Sequence, residues 1–252
     1  MQVSKSFERL IEIMATLRSK EGCPWDREQT HESLVPYCIE EAYEVVQAIE
    51  EKNWKELKSE LGDLLLQVVF HAQLATEERF FTMEDVVESI NQKMITRHPH
   101  VFLKSEKLTA KEVSENWENI KKKKEGRKSA LQGIPRSLPS LMKAQRIGEK
   151  VGALGFDWKR QEDVREKVQE EWHELEAAME TQAEKEEEFG DLLFALVQWG
   201  RHLHIDSEQV LHNACEKFSK RFERVEKEIE DRGLDMDQCS VGELEEIWQQ
   251  VK

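Results

Sequence analysis

Apolar residues recur along this chain at three- and four-residue intervals. Long alternations of β-branched and polar residues are missing, so the pattern predicts helices. One amphipathic helix is expected from Ser6 to Leu17. Others follow at roughly 31–51, 54–75, 83–97 and 110–122, then at about 138–151, 162–179, 183–203, 207–231 and 241–251. Gly22-Cys23-Pro24-Trp25-Asp26 reads as a loop. The stretch from Lys121 to Pro139 changes character: Lys121 to Lys124 are consecutive lysines, followed by Gly126, Gly133, Pro135 and Pro139. It reads as a linker. No proline follows Pro139, so the later helices can run unbroken. The expected fold is all-α, with helical modules at 1–122 and 139–252 joined by a basic linker at 123–138.

The modules share a pattern of acids. Glu40-Glu41-x-x-Glu44 is followed by Glu60-x-x-Asp63, and Glu170-Glu171-x-x-Glu174 by Glu188-x-x-Asp191. Residues three or four apart share a helix face, so Glu41 pairs with Glu44, Glu60 with Asp63, Glu171 with Glu174 and Glu188 with Asp191. Two antiparallel helices can aim both pairs at one point. Carboxylates gathered there repel unless a cation sits among them, and oxygen ligands favour Mg²⁺ or Mn²⁺. Asp63 and Asp191 also border long apolar runs, where an unpaired carboxylate is costly. Glu40 and Glu170 point roughly 100° away from their neighbours, which suits a supporting or base role.

The repeat continues past the acids. Trp25-Asp26 matches Phe156-Asp157-Trp158, and Lys93-x-x-x-Arg97 matches Lys217-x-x-x-Arg221. Thr109-x-x-Glu112 with Trp117 matches Ser240-x-x-Glu243 with Trp248. Each cation pair reads either as a phosphate clamp or as a surface pair balanced by nearby glutamates. Lys167 and Lys185 reach either a phosphate or a neighbouring glutamate. Trp248 is either a core residue or a lid over a base. Glu170 and Glu187 are candidate general bases. His98, His100, His202 and His204 read as loop or surface residues.

Composition narrows the classes. The chain has 252 residues, 35% charged, with a formal net charge of -15. That charge argues against general nucleic-acid binding and means an anionic substrate needs local cations. No apolar run approaches a membrane span, and the N-terminus lacks the apolar stretch of a signal peptide. Cys23, Cys38, Cys215 and Cys239 show no Cys-x-x-Cys spacing. A cytoplasmic protein is expected.

Taken together, Glu-Glu-x-x-Glu, a short gap and Glu-x-x-Asp resemble the MazG family of all-α nucleoside triphosphate pyrophosphohydrolases. The intervening stretches, 45–59 and 175–187, fit that motif, as do Gly-Cys-Pro-Trp-Asp at 22–26 and Arg97-His98-Pro99-His100-Val101-Phe102. The resemblance covers nearly the whole chain. It implies Mg²⁺-dependent hydrolysis of ribo- and deoxynucleoside triphosphates, with broad base range, to monophosphate and pyrophosphate. It also implies a homodimer. By the same resemblance Glu171, Glu174, Glu188 and Asp191 hold metal, while Lys217, Arg221 and Trp248 meet the nucleotide. The first half matches at Glu41, Glu44, Glu60, Asp63, Lys93 and Arg97. The resemblance also implies that the second half carries most activity, and two departures weaken the first: Pro36 just before its acids and Pro99 just after Arg97. The alternative is a non-enzymatic helical protein whose acids form docking faces. A di-iron bundle would want Glu-x-x-His pairs, and neither acid group supplies one.

Overall fold

The computed structural model describes residues 2–102, 109, 113, 129–178 and 181–251. These residues are helical or form turns, with no strand among them. The chain divides into two compact units, Met1–Lys107 and Leu108–Lys252. Most of the helix expected over 110–122 lies outside the described residues, as do Glu112, Trp117 and the lysine run at 121–124. The described part of the expected linker, 129–138, runs as turns.

The first unit contains α1 (Gln2–Leu17), α2 (Pro24–Glu28), α3 (Val35–Glu50), α4 (Trp54–Glu77), α5 (Met83–Arg97) and the short α6 (Pro99–Phe102). The expected loop at Gly22–Asp26 is therefore partly helical. Pro24 occupies the first turn of α2, where its fixed φ suits a helix and its missing N–H costs nothing. Asn53 caps α4 by accepting from the Glu56 N–H, and Thr82 with Asp85 forms a capping box on α5. Phe7, Leu10, Ile11 and Met14 make the apolar stripe of α1 and pack with Leu34 against Val69, Phe70 and Leu74. Each such side chain contributes about 1.5–3 kcal/mol when taken fully from water.

The second unit contains α7 (Ser140–Gly152), α8 (Gln161–Ala177), α9 (Gln182–His202), α10 (Ser207–Asp231), a 3₁₀ turn (Met236–Gln238) and α11 (Val241–Gln250). Capping boxes at Thr181/Glu184 and Ser240/Glu243 start α9 and α11, and Asp206 caps α10. Helices α8 and α9 form a tightly packed hairpin, as α3 and α4 do in the first unit. Val225 and Ile229 of α10 bury against Ile247 of α11, with Leu244 and Trp248 beside them.

Candidate metal centre

Each hairpin brings its acids together. In the first, carboxylate oxygens of Glu41, Glu60 and Asp63 lie within 4.8 Å of one another. In the second, those of Glu171, Glu174 and Glu188 do the same. The i,i+3 pairs Glu60/Asp63 and Glu171/Glu174 explain this: one helix offers two side chains to a single point, and the facing helix adds one. Glu44 and Asp191, expected as fourth members, stand outside these groups and are exposed. Glu60 and Glu171 are buried.

The electrostatics are those of a crowded anionic site. Burial pushes the Glu60 carboxyl up to about 7, helped by a hydrogen bond its protonated form donates to Glu56 and by the charges of Glu44, Glu56 and Asp63. Glu41 is raised by burial, then by Asp63 and Glu44. Glu188 is raised by burial, then by Glu174, Asp191 and Glu171. Nearby positive charge favours the ionised forms of such groups. In the second unit part of it comes from Lys167, whose Nζ lies 2.7 Å from Glu171 Oε1 and 2.8 Å from Glu170 Oε1. Those two hydrogen bonds raise the ammonium above its ordinary value. The donor set, all oxygen and strongly anionic, fits a hard divalent cation.

Gln67 was not anticipated. It is buried one turn beyond Asp63, and its Nε2 lies 3.5 Å from Glu41 Oε1. Its Oε1 has no hydrogen-bond partner, an orphan acceptor beside the first cluster. The available signal was a polar residue at i+4 from an acid within an apolar helix. The matching position in the second unit is Ala195.

Pro36 does not disturb the first cluster. It falls in the first turn of α3, where proline is tolerated, and the helix runs on through Glu41. Pro99 does end α5: His98 caps it and α6 begins with the proline. What separates the two clusters is cationic company. Tyr37 stands one turn before Glu41 where Lys167 precedes Glu171. Leu57 precedes Glu60 where Lys185 precedes Glu188.

The remaining candidates are scattered. Lys217 is exposed on α10, and Lys93 on α5 is exposed as well. Arg221, one turn after Lys217, is not a free clamp. Its guanidinium carbon lies 3.9 Å from the centroid of the Trp248 ring, and Nη2 donates to the Trp248 carbonyl. Its Nε is buried without a partner. Trp248 also packs against Phe218, at 4.9 Å between centroids. These two candidate nucleotide residues thus touch each other across α10 and α11. Arg97 is half-buried in the last turn of α5. Lys185 lines an open groove with Leu175, Gln182, Glu186 and Phe189, while Glu187 is exposed beside it.

A family profile described as the MazG nucleotide pyrophosphohydrolase domain matches this chain twice, over residues 29–102 and 159–226. The matches contain the two hairpins and their acids. A Thermotoga maritima protein named nucleoside triphosphate pyrophosphohydrolase/pyrophosphatase MazG is 49% identical over 98% of this chain and 95% of its own length. A nucleoside triphosphate pyrophosphohydrolase of Escherichia coli is 47% identical over 97% of this chain and 96% of its own. The crystal structure of a mazG-related protein from Thermotoga maritima covers 46% of this chain and 99% of its own, at 30% identity and a TM-score of 0.41.

Proposed function

Since the chain belongs to the MazG nucleotide pyrophosphohydrolase family, we propose that its second carboxylate cluster hydrolyses nucleoside triphosphates to monophosphate and pyrophosphate. The chain is an enzyme of the nucleoside triphosphate pyrophosphohydrolase class. The observation that carries the assignment is the convergence of Glu171, Glu174 and Glu188 within 4.8 Å, with Lys167 alongside. Docking faces would instead leave their carboxylates spread and solvated.

Glu171, Glu174 and Glu188 would hold the cation, Mg²⁺ or Mn²⁺, with Asp191 next to them on α9. Bound there, the cation neutralises phosphate charge and sharpens a water nucleophile. The chain's own residues do the rest. Phosphoryl transfer needs positioning and charge neutralisation more than covalent help. Lys167, Lys185, Lys217 and Arg221 supply positive charge against a net charge of -15. A water oxygen bonds to the α-phosphorus as the bond to the bridging oxygen breaks, and pyrophosphate leaves. The water's proton passes to a carboxylate not engaged by the cation, Glu170 or Glu187. Trp248 would close over the base, and broad base use is what the family resemblance implies. Lys93 and Arg97, with Glu41, Glu44, Glu60 and Asp63, would form the weaker counterpart site of the first module. The module bounds 1–122 and 139–252 remain our reading of its domain organisation.

Exposed apolar side chains support a homodimer. Tyr43 and Val46 on α3, Leu65 on α4, Trp172 on α8 and Phe189 and Leu193 on α9 all face outward, and a second copy would cover them. No described helix is long and apolar enough to cross a membrane. The four cysteines are free, which supports a reducing cytoplasm. The test is a panel of ribo- and deoxynucleoside triphosphates with Mg²⁺, products resolved by ³¹P spectroscopy. Monophosphate and pyrophosphate are expected, with no turnover in excess chelator. Diphosphate and orthophosphate would refute the reading.

A further inference from the structure

A row of polar groups that the reaction does not use, half-buried except for the buried Gln198, lies at one end of the second hairpin. Asp157, in the turn between α7 and α8, accepts from Arg201 Nη1 at 2.8 Å and Nη2 at 2.6 Å. His202 Nε2 lies 2.9 Å from the same carboxylate. Arg201 Nε donates to Gln198 Oε1 at 3.1 Å, and Gln198 Nε2 donates to the Ala144 carbonyl of α7 at 2.9 Å. Burial alone would raise the Asp157 carboxyl. The hydrogen bonds and charges of Arg201 and His202 outweigh it and hold the group below the usual carboxylate range.

Helix α7 is shaped to admit this row. A Cβ on Gly148 would sit 1.8 Å from Gln198 Oε1 and 2.7 Å from Arg201 Nε, and one on Gly152 would sit 2.8 Å from Asp157 Oδ2. Glycine is disfavoured inside a helix, by roughly 1 kcal/mol relative to alanine. The close approach of the polar row accounts for Gly148; Gly152 ends the helix, against the Asp157 side chain.

The row also ties the hairpin. Asp157 stands just ahead of α8, which carries Glu171 and Glu174. Arg201 and His202 end α9, which carries Glu188. Helix α8 ends at Ala177 and α9 begins at Gln182, so the bridge stands at the end of the hairpin away from the chain connection. A slip of one residue along a helix moves a side chain by about 1.5 Å, and about 1 Å of misplacement costs about 10²-fold in rate. We propose that Asp157 is a positioning residue for hydrolysis: its bridge to Arg201 and His202 fixes the register of α8 against α9, and so the convergence of Glu171, Glu174 and Glu188. The inference rests on the second module being the active one.

The test compares Asp157→Asn and Gly148→Ala with wild type, well below the melting temperature of each. Mn²⁺ affinity is read by electron paramagnetic resonance without nucleotide, and kcat and KM are read separately. Asp157→Asn keeps the volume but removes the charge; Gly148→Ala removes no charge but pushes Gln198 and Arg201 away. Both should weaken Mn²⁺ binding about 10-fold and lower kcat about 10-fold or more, with KM within about twofold. Wild-type Mn²⁺ affinity and kcat, with only a lowered melting temperature, would overturn the proposal and leave a structural bridge. Should Asp157→Asn fail to fold, Gly148→Ala and Arg201→Lys carry the same readings. Glu171→Gln is the control on the premise. If it is dead while Asp157→Asn is silent, positioning fails. If it keeps full activity, the choice of module fails instead, and the Mn²⁺ affinities alone decide the positioning claim.

Discussion

At the scale of single residues, spacing foretold which acids meet. Glu171/Glu174 and Glu60/Asp63 share a helix face, and that rule alone places them together. It could not say which acids would fall outside the closest group, and exposure does not separate them: Glu44 and Asp191 are exposed, but so is Glu174 within its group. The cations were harder to read. An i,i+4 pair looks the same whether it clamps phosphate or packs on a neighbour, and Arg221 is committed to Trp248. This separates two variants. Lys217→Ala should raise the nucleotide KM about 10-fold and leave the melting temperature unchanged. Arg221→Ala should lower the melting temperature as well, since a cation–π contact and a backbone hydrogen bond are lost together. If Lys217→Ala leaves KM at the wild-type value, Lys217 belongs to the surface and not to the site.

At the scale of elements, the periodicity located the longer described helices to within a few residues, because capping residues and apolar stripes agree at most ends, but it missed the short α6. It read Gly22–Asp26 as a loop, since proline and glycine are loop residues by composition, yet Pro24 begins α2. The sequence also hid the fastening of each loop to its module. Arg18, just past the end of α1, donates to Glu77 at the end of α4, at 2.8 Å, and to the Asp26 and Gln29 carbonyls. In the second module the polarity is reversed, with the acid in the loop and the arginine on the helix. Hydrogen bonds from Arg18 hold Glu77 below its ordinary 4.5, and Asp157 sits below its ordinary 3.8. Carboxyls depressed in the folded state stabilise it fully above those ordinary values, and that stability is lost as pH falls through the lower folded ones. Glu77→Gln and Asp157→Asn should therefore melt below wild type at about pH 7, with the gap closing toward about pH 3. A gap that stays constant with pH would show the charges contribute nothing. Glu77 is the weaker case, being partly exposed.

At the scale of the whole molecule, the duplication was legible because acids and cations repeat in order. The expected inequality of the halves draws no support from Pro36 and rests instead on the cations. Pro36 begins α3 harmlessly, and both clusters converge. The first module lacks counterparts of Lys167 and Lys185, and a triphosphate approaching a chain of net charge -15 needs them. The apolar faces of both hairpins make a further prediction. Light scattering should give a dimer, and Leu193→Glu with Phe189→Glu should shift it toward monomer. A wild-type monomer at micromolar concentration would remove the second copy from the account.

The most direct measurement is kcat/KM on one nucleoside triphosphate for Glu171→Gln and Glu41→Gln, with circular dichroism confirming that both remain helical. Glutamine keeps the shape and removes the charge that a cation needs. The account predicts a loss of at least about 10²-fold for Glu171→Gln and a loss under about threefold for Glu41→Gln. A larger loss for Glu41→Gln, or an undiminished rate for Glu171→Gln, would contradict the placement of the reaction in the second module.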